Sequence, residues 1–339
     1  DEAISAFEAA LALPHTTSVC INGLAKLYTK DKRYDDAFRV LDTALTKANL
    51  SPKFWIHLVD LYTITGLASQ TNRDKIKVSI MKCLNRAVAL EPEDPLTLHR
   101  LADYYKVWGE SDKAIALFIE LIELNPGLIS VREQLADLYL RADKTEKATR
   151  QLEAILRERP TNERALFVLG GIKRQLDKLD EAAAHFETVL KINPKFELAY
   201  YELAGVRLFQ NKPSITLSTL KKAGEQFKPK FITKFYAGLA HSSLHQYPKA
   251  IENLLDAEEL AKASEQNRLT HFFYFQLGAA YERNRQYETA NDTFNKAIEM
   301  SPDYHNAMNY LGYMWADINR NLDEAAKHIT KANELRSEE

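Results

Sequence analysis

Apolar residues recur along this chain at i, i+3, i+4 and i+7, in blocks of about a dozen residues separated by short polar or glycine- and proline-bearing breaks. One clear case is Leu98, Leu101, Ala102 and Tyr105, followed by Ala114, Leu117, Phe118 and Leu121. Each group predicts an amphipathic helix buried on one face. Gly109-Glu110-Ser111-Asp112 separates the two, and Asn125-Pro126-Gly127 follows the second, so both breaks carry turn chemistry and the pair is expected to fold back on itself.

The pattern then repeats. Pro126, Pro160 and Pro194 stand 34 residues apart, each closing the same scaffold. Leu101-Ala102, Tyr105, Ala114 and Phe118 precede the first; Leu135-Ala136, Tyr139, Ala148 and Leu152 the second; Leu169-Gly170, Ala182 and Phe186 the third. A fixed period of this length marks a repeat architecture. The small residues Ala102, Ala136, Gly170 and Ala204 recur where a large side chain would hold two helices apart.

The motif resembles the tetratricopeptide repeat, whose pattern places Leu-Gly or Leu-Ala, Tyr, Ala, Phe and Pro in this order over 34 residues. The resemblance implies an all-α fold: a right-handed superhelical solenoid of antiparallel helix pairs forming one domain over residues 1–339. We expect a half repeat at 1–15 and then nine repeats, at 16–50, 51–94, 95–128, 129–162, 163–196, 197–230, 231–268, 269–304 and 305–339. The half repeat leads us to expect a piece of a longer or processed protein. In the second repeat the closing residues Leu84, Ala87 and Pro92 arrive late, which predicts an inserted turn near Gly66 to Lys75, with a helix restarting at Thr71 or Asn72 and a segment dispensable for folding. A longer second helix reaching toward Ala263 is expected in the repeat at 231–268, and one extra residue near Asn319-Arg320-Asn321 in the last.

Composition excludes more than it assigns. Forty-five basic against 47 acidic side chains give a net charge of -2, which provides no field for gathering nucleic acid. No run approaches the roughly 18 apolar residues of a membrane span, so no membrane insertion by this chain is expected. Cys20 and Cys83 lack a Cys-x-x-Cys partner and are expected as buried free thiols. No catalytic, phosphate-loop or metal-spacing signature occurs, so no catalytic residue, cofactor or metal is predicted and the protein is read as not an enzyme. His241-x-x-x-His245 is the nearest approach to a metal pair, and it reads better as a half-buried and a solvated histidine.

The resemblance further implies a concave surface lined by residues turned away from the Leu-Ala/Gly-Tyr stripe. Some arrays of this kind hold a chaperone's terminal carboxylate there with a Lys and Asn pair; the matching positions here include Asn22/Lys26, Ile56/Asp60 and His99/Asp103, and no repeat has that pair. The first half of the row is acidic, with Asp60, Asp103, Glu133 and Asp137. From Phe167 the row turns aromatic, with a small residue beside three of four rings and a leucine beside the other: Phe167/Gly171, Tyr201/Gly205, Phe235/Leu239, Phe275/Ala279, then Tyr313. These rings are expected to stand open in a groove that binds a protein or peptide segment with bulky apolar anchors, the acidic half attracting a basic flank. Two other readings stand beside this one: the substrate-recognition arm of a larger enzyme, and an oligomerisation or assembly element of a cell-envelope complex. Asn309-Tyr310-Leu311-Gly312-Tyr313 followed by Leu322-Asp323-Glu324-Ala325-Ala326 is similar to closing repeats of bacterial envelope-assembly proteins. That similarity directs the localisation expectation to the periplasmic side of the envelope, with the cytoplasm as the alternative.

Overall fold

The computed structural model describes residues 2–11, 17–47, 50–71 and 73–337. Among them are nineteen α-helices, one short 3-10 helix and no strand. The chain forms two compact units, Asp1–Glu158 and Arg159–Glu339. The first contains α1 (Glu2–Ala10), α2 (Thr17–Lys30), α3 (Tyr34–Ala44), α4 (Pro52–Ala68), α5 (Arg73–Val88), α6 (Pro95–Val107), α7 (Ser111–Leu124), α8 (Ile129–Arg141) and α9 (Thr145–Glu158). The second contains α10 (Glu163–Gln175), α11 (Leu179–Ile192), α12 (Glu197–Phe209), α13 (Pro213–Gly224), α14 (Phe231–Ser243), α15 (Tyr247–Ser264), α16 (His271–Arg283), α17 (Tyr287–Met300), α18 (His305–Asp317) and α19 (Leu322–Ser337).

Within each unit the helices pair as the period predicts, and the recurrent apolar residues form the core. Leu24, Leu58, Leu101, Leu135, Leu169, Leu203, Leu277 and Leu311 are all buried. The glycines beside the stripe are there for close approach. A Cβ at Gly170 would lie 2.7 Å from the Phe186 ring, one at Gly278 2.8 Å from Phe294, and one at Gly312 2.6 Å from Ile329. The turn inside each pair is also built alike. Gly109, Asp143, Asp177, Asn211 and His245, 34 residues apart, all have φ between 53° and 84°, and the next amide closes the helix by bonding back to the carbonyl of Tyr105, Tyr139, Lys173, Arg207 or His241 at 2.8–2.9 Å. The added residue of the last repeat is absorbed here, Asn319 and Asn321 both being left-handed.

Two departures from the repeat pattern are compensated. Arg207, where tyrosine is usual, pairs with Glu187 of α11 and donates to Gln210 at 2.7 Å. Thr216, where alanine is usual, is fully buried with its hydroxyl directed at the Ala204 and Lys212 carbonyls, 3.3 Å each. The expected lengthening of α15 is present, the helix running to Ser264.

The insertion at Gly66 to Lys75 is different from the expected loop. α4 continues through Gly66 and Leu67 to Ala68, α5 begins at Arg73, and Ser69, Gln70 and Thr71 are the described residues between them; Asn72 lies outside the described residues. Gly66 is buried against Ile76, whose Cδ1 sits 2.6 Å from where a Cβ would be, and Ile76 is itself buried. The Arg73 guanidinium stacks over Trp108 at 4.7 Å and donates to the Val107 carbonyl at 2.5 Å. The extra residues therefore lengthen both helices and pack as structure, because an apolar Ile76 and a glycine facing it extend the buried stripe by a turn.

Candidate functional site

The acidic row of the first unit is a hydrogen-bonded ladder. Asp60 of α4 accepts from Arg100 of α6 at 2.8 Å and from the Tyr104 hydroxyl, and lies 3.7 Å from His57 Nδ1. His57 in turn meets Asn22 of α2 at 2.8 Å. Asp103 is held by Lys106 at 2.7 Å and His99 at 3.2 Å, and Lys106 also donates to Gln134 of α8. Glu133 and Asp137 also take part in interactions. Asp60 and Asp103 thus face the cations Arg100 and Lys106, so this part of the row is mixed in charge and not purely acidic. Burial, and then the bond to Asp60, raise the Tyr104 phenol above its ordinary range.

In the second unit the aromatic row is partly core. Tyr201 is 6% exposed and Phe235 9% exposed, which corrects the expectation that these rings stand open. The physical reason is that each is covered from its own helix and from outside it: Glu197 and Phe231 lie one turn back on the same helix, while Lys230 and Phe273 come from other elements. Tyr201 donates its hydroxyl to Glu197 at 2.6 Å, and Lys230 bonds the other oxygen of that carboxylate at 2.9 Å; burial and then Glu197 push the Tyr201 phenol up. Phe235 stacks on Phe231 with centroids 5.3 Å apart and touches Phe273 at 5.9 Å. Phe167 is half-buried between Phe186 and Phe196, and Phe275 among Phe294, Tyr304 and Tyr310. Gly171 has open space where a Cβ would be, Ala279 is half-buried, and Tyr313 is 51% exposed.

What the fold does bring together is an open apolar cavity of about 530 Å³ on α12, α14 and α16. From α12 it takes Gly205, Leu208 and Phe209, and from α14 the edge of Phe235 with Tyr236, Leu239 and two serines. Phe272 and Gln276 of α16 close it. Gly205 packs closely on Tyr236, whose hydroxyl lies 3.1 Å from where a Cβ would be. Phe209 at 72% and Phe272 at 44% exposure are its open rings. Three sequence-predicted residues, Gly205, Phe235 and Leu239, thus meet in one site, while Phe167, Gly171, Phe275, Ala279 and Tyr313 lie outside its lining. Phe209 and Phe272 were not among the predicted site residues. A helical signal for them exists, since Phe209 follows Gly205 by four and Phe272 precedes Phe275 by three.

Polar groups in the lining are few: Ser242, Ser243, Gln276 and the Tyr236 hydroxyl, whose pKa burial raises. Ser243 donates to the Leu239 carbonyl at 3.0 Å. Such a lining can hold apolar side chains and orient a main chain by a few hydrogen bonds, and it contains no nucleophile and base within reach of one another. His241 and His245 bond Gln246 at 2.9 Å and Tyr247 at 2.7 Å, and among the described residues no group of three or more His, Cys, Asp and Glu side chains is placed to hold a metal. Cys20 and Cys83 are buried and free, with burial pushing the Cys83 thiol up to about 12. No helix of the described residues is long and apolar enough to cross a membrane.

A family model for the tetratricopeptide repeat matches residues 133–197 and 275–337, and a second model of the same description matches 97–128. Neither describes a catalytic family. Similar solved structures include the C-terminal part of a TPR repeat-containing protein from Cytophaga hutchinsonii, 12% identical, covering 76% of this chain and 98% of that one at a TM-score of 0.57. The APC/C hetero-tetramer Cut9-Hcn1 is 14% identical, with 95% and 74% covered at 0.54. YrrB, described as a TPR protein with an unusual peptide-binding site, is 17% identical, with 55% and 92% covered at 0.44. None of these likenesses concerns more than the fold. No curated protein matches the chain.

Proposed function

We propose that this chain, which belongs to the tetratricopeptide-repeat family, is a non-catalytic interaction scaffold that binds a protein segment with bulky apolar anchors on α12, α14 and α16. The observation that carries the reading is the pair of open rings, Phe209 and Phe272, placed over a cavity whose floor is the buried edge of Phe235. An exposed phenylalanine adds nothing to solubility, and exposed apolar clusters of this kind mark interaction surfaces. The anchor side chains enter the cavity, and Gln276 and the serine hydroxyls meet the segment's backbone.

The test is to replace Phe209 and Phe272 by Ser, together and singly, and use each variant as bait beside the unaltered chain. Neither ring is core, so the melting temperature should stay within a degree or two while a specific partner is lost. Retention of every captured partner by the double variant sinks the reading. Light scattering of the same samples tests the alternative occupant: a dimer that dissociates on substitution means that a second copy fills the cavity.

A further inference from the structure

A different cavity in the second unit arises from missing side chains. Eight of the nine repeats carry a buried leucine at the same phase, from Leu24 to Leu311; in the ninth, Ala237 of α14 stands there instead. Beside it, Val189 and Leu190 of α11 have as their counterparts one period later Ala223 and Gly224 of α13. Three truncations meet at one place, and the space they leave is an open cavity of about 310 Å³ that Ala223, Gly224 and Ala237 all line. A Cβ added at Gly224 would touch nothing within 4 Å. Leaving such a gap forfeits packing contacts that the other repeats make.

The rest of the lining specifies an occupant. Leu217, Leu220 and Phe227 supply apolar walls. At the rim stand Lys221 and Lys228, both exposed and neither in an ion pair with a described residue, whereas Lys234 is committed to Asp256 at 2.7 Å. Pro229 and Lys234 also line an adjoining cleft of about 420 Å³ whose other residues include Asp256 and Glu259. The two together form a path with unpaired cations at one end, the exposed Glu259 beside the Lys234–Asp256 pair at the other, and an apolar hole in the first. Its charge changes sign along its length, so a compact ligand would meet only one half.

We infer that this path binds an extended peptide segment of a partner, its apolar side chain filling the hole left by Ala223, Gly224 and Ala237. An acidic residue on one side of that anchor faces Lys221 and Lys228, and a basic residue on the other faces Glu259. This site is independent of the apolar cavity on α12, α14 and α16, and it stands or falls separately from the function proposed there.

The probe is a set of fluorescein-labelled nonapeptides with a central Leu or Phe, two Asp on one side and two Lys on the other, against a set with Lys on both sides, read by fluorescence polarisation with the whole chain. The acid-and-base set should bind at least tenfold more tightly, and Lys221→Glu with Lys228→Glu should abolish that preference. Ala237→Leu fills the hole and should raise the urea midpoint while weakening the peptide at least tenfold. Should Ala237→Leu fold poorly, Gly224→Leu fills the same hole from a helix end with free space and must weaken binding likewise. Phe209→Ser should leave this binding unchanged. Equal affinity for both peptide sets, no binding of either, or full binding by the filled variant overturns the inference.

Discussion

Gly170 of α10 and Phe186 of α11 are in contact so close that a Cβ on the glycine would lie 2.7 Å from the ring. Phe186 is fully buried, so it has no free space to retreat into. Gly170→Leu is expected to lower stability by about 1–3 kcal/mol, overpacking outweighing the better helix propensity of leucine. Equilibrium urea unfolding measures this, and an unchanged midpoint would mean the two helices do not pack through this face.

The left-handed turn residue offers a gain. Arg285 holds φ at 60° and Asn211 at 55° in equivalent turns. Asparagine tolerates that region and arginine does not. Arg285→Gly is expected to stabilise by about 0.5–1 kcal/mol, the relief of strain being offset in part by a freer unfolded chain, while Asn211→Gly should be near neutral. Equal shifts in melting temperature for the two would contradict the turn geometry.

Ile76 tests the corrected reading of the inserted segment. It is 8% exposed and faces Gly66. Ile76→Ala is expected to cost roughly 2–4 kcal/mol, as for other buried aliphatic truncations. A loss below ~0.5 kcal/mol would return the segment to a dispensable loop.

Stability should fall on mild acidification. Burial, and then Lys173, hold the His185 pKa below its usual value, with Glu181 opposing; burial likewise lowers His328. The unfolded chain then binds protons near pH 6.5 before the folded one does, so stability is full above that pH and is lost as pH falls toward the folded-state values. Each group contributes a slope of at most about 1.4 kcal/mol per pH unit. Urea midpoints from pH 7.5 to 5.5 should fall, and His185→Gln should flatten the curve; an identical slope in the variant would remove His185 from the account.

The fold was legible because its signals are local and repeated: Leu101, Ala102 and Tyr105 state one helix face, and the next repeats restate it. The insertion was misread because Gly66 is punctuation in a sequence, while its burial against Ile76 depends on packing that no local pattern records. The row of groove positions was legible as a row. Whether Tyr201 and Phe235 face out depended on distant residues, Lys230 reaching the carboxylate that Tyr201 bonds and Phe273 packing on Phe235, that share no repeat phase with them. The interruption of the recurring leucine at Ala237 went unread in the sequence, and it gained meaning only once the structure placed Ala223 and Gly224 beside it.

Within Arg159–Glu339 each helix touches the next in the chain, and α10, α12 and α14 or α16 and α18 touch one another in series. A pull on the two ends of this unit therefore loads the helix pairs one after another, like links. A segment lying on α12, α14 and α16 would bridge three successive pairs. Its arrival would stiffen that stretch against extension, and stretching the stack would spread its contact points apart and loosen its hold.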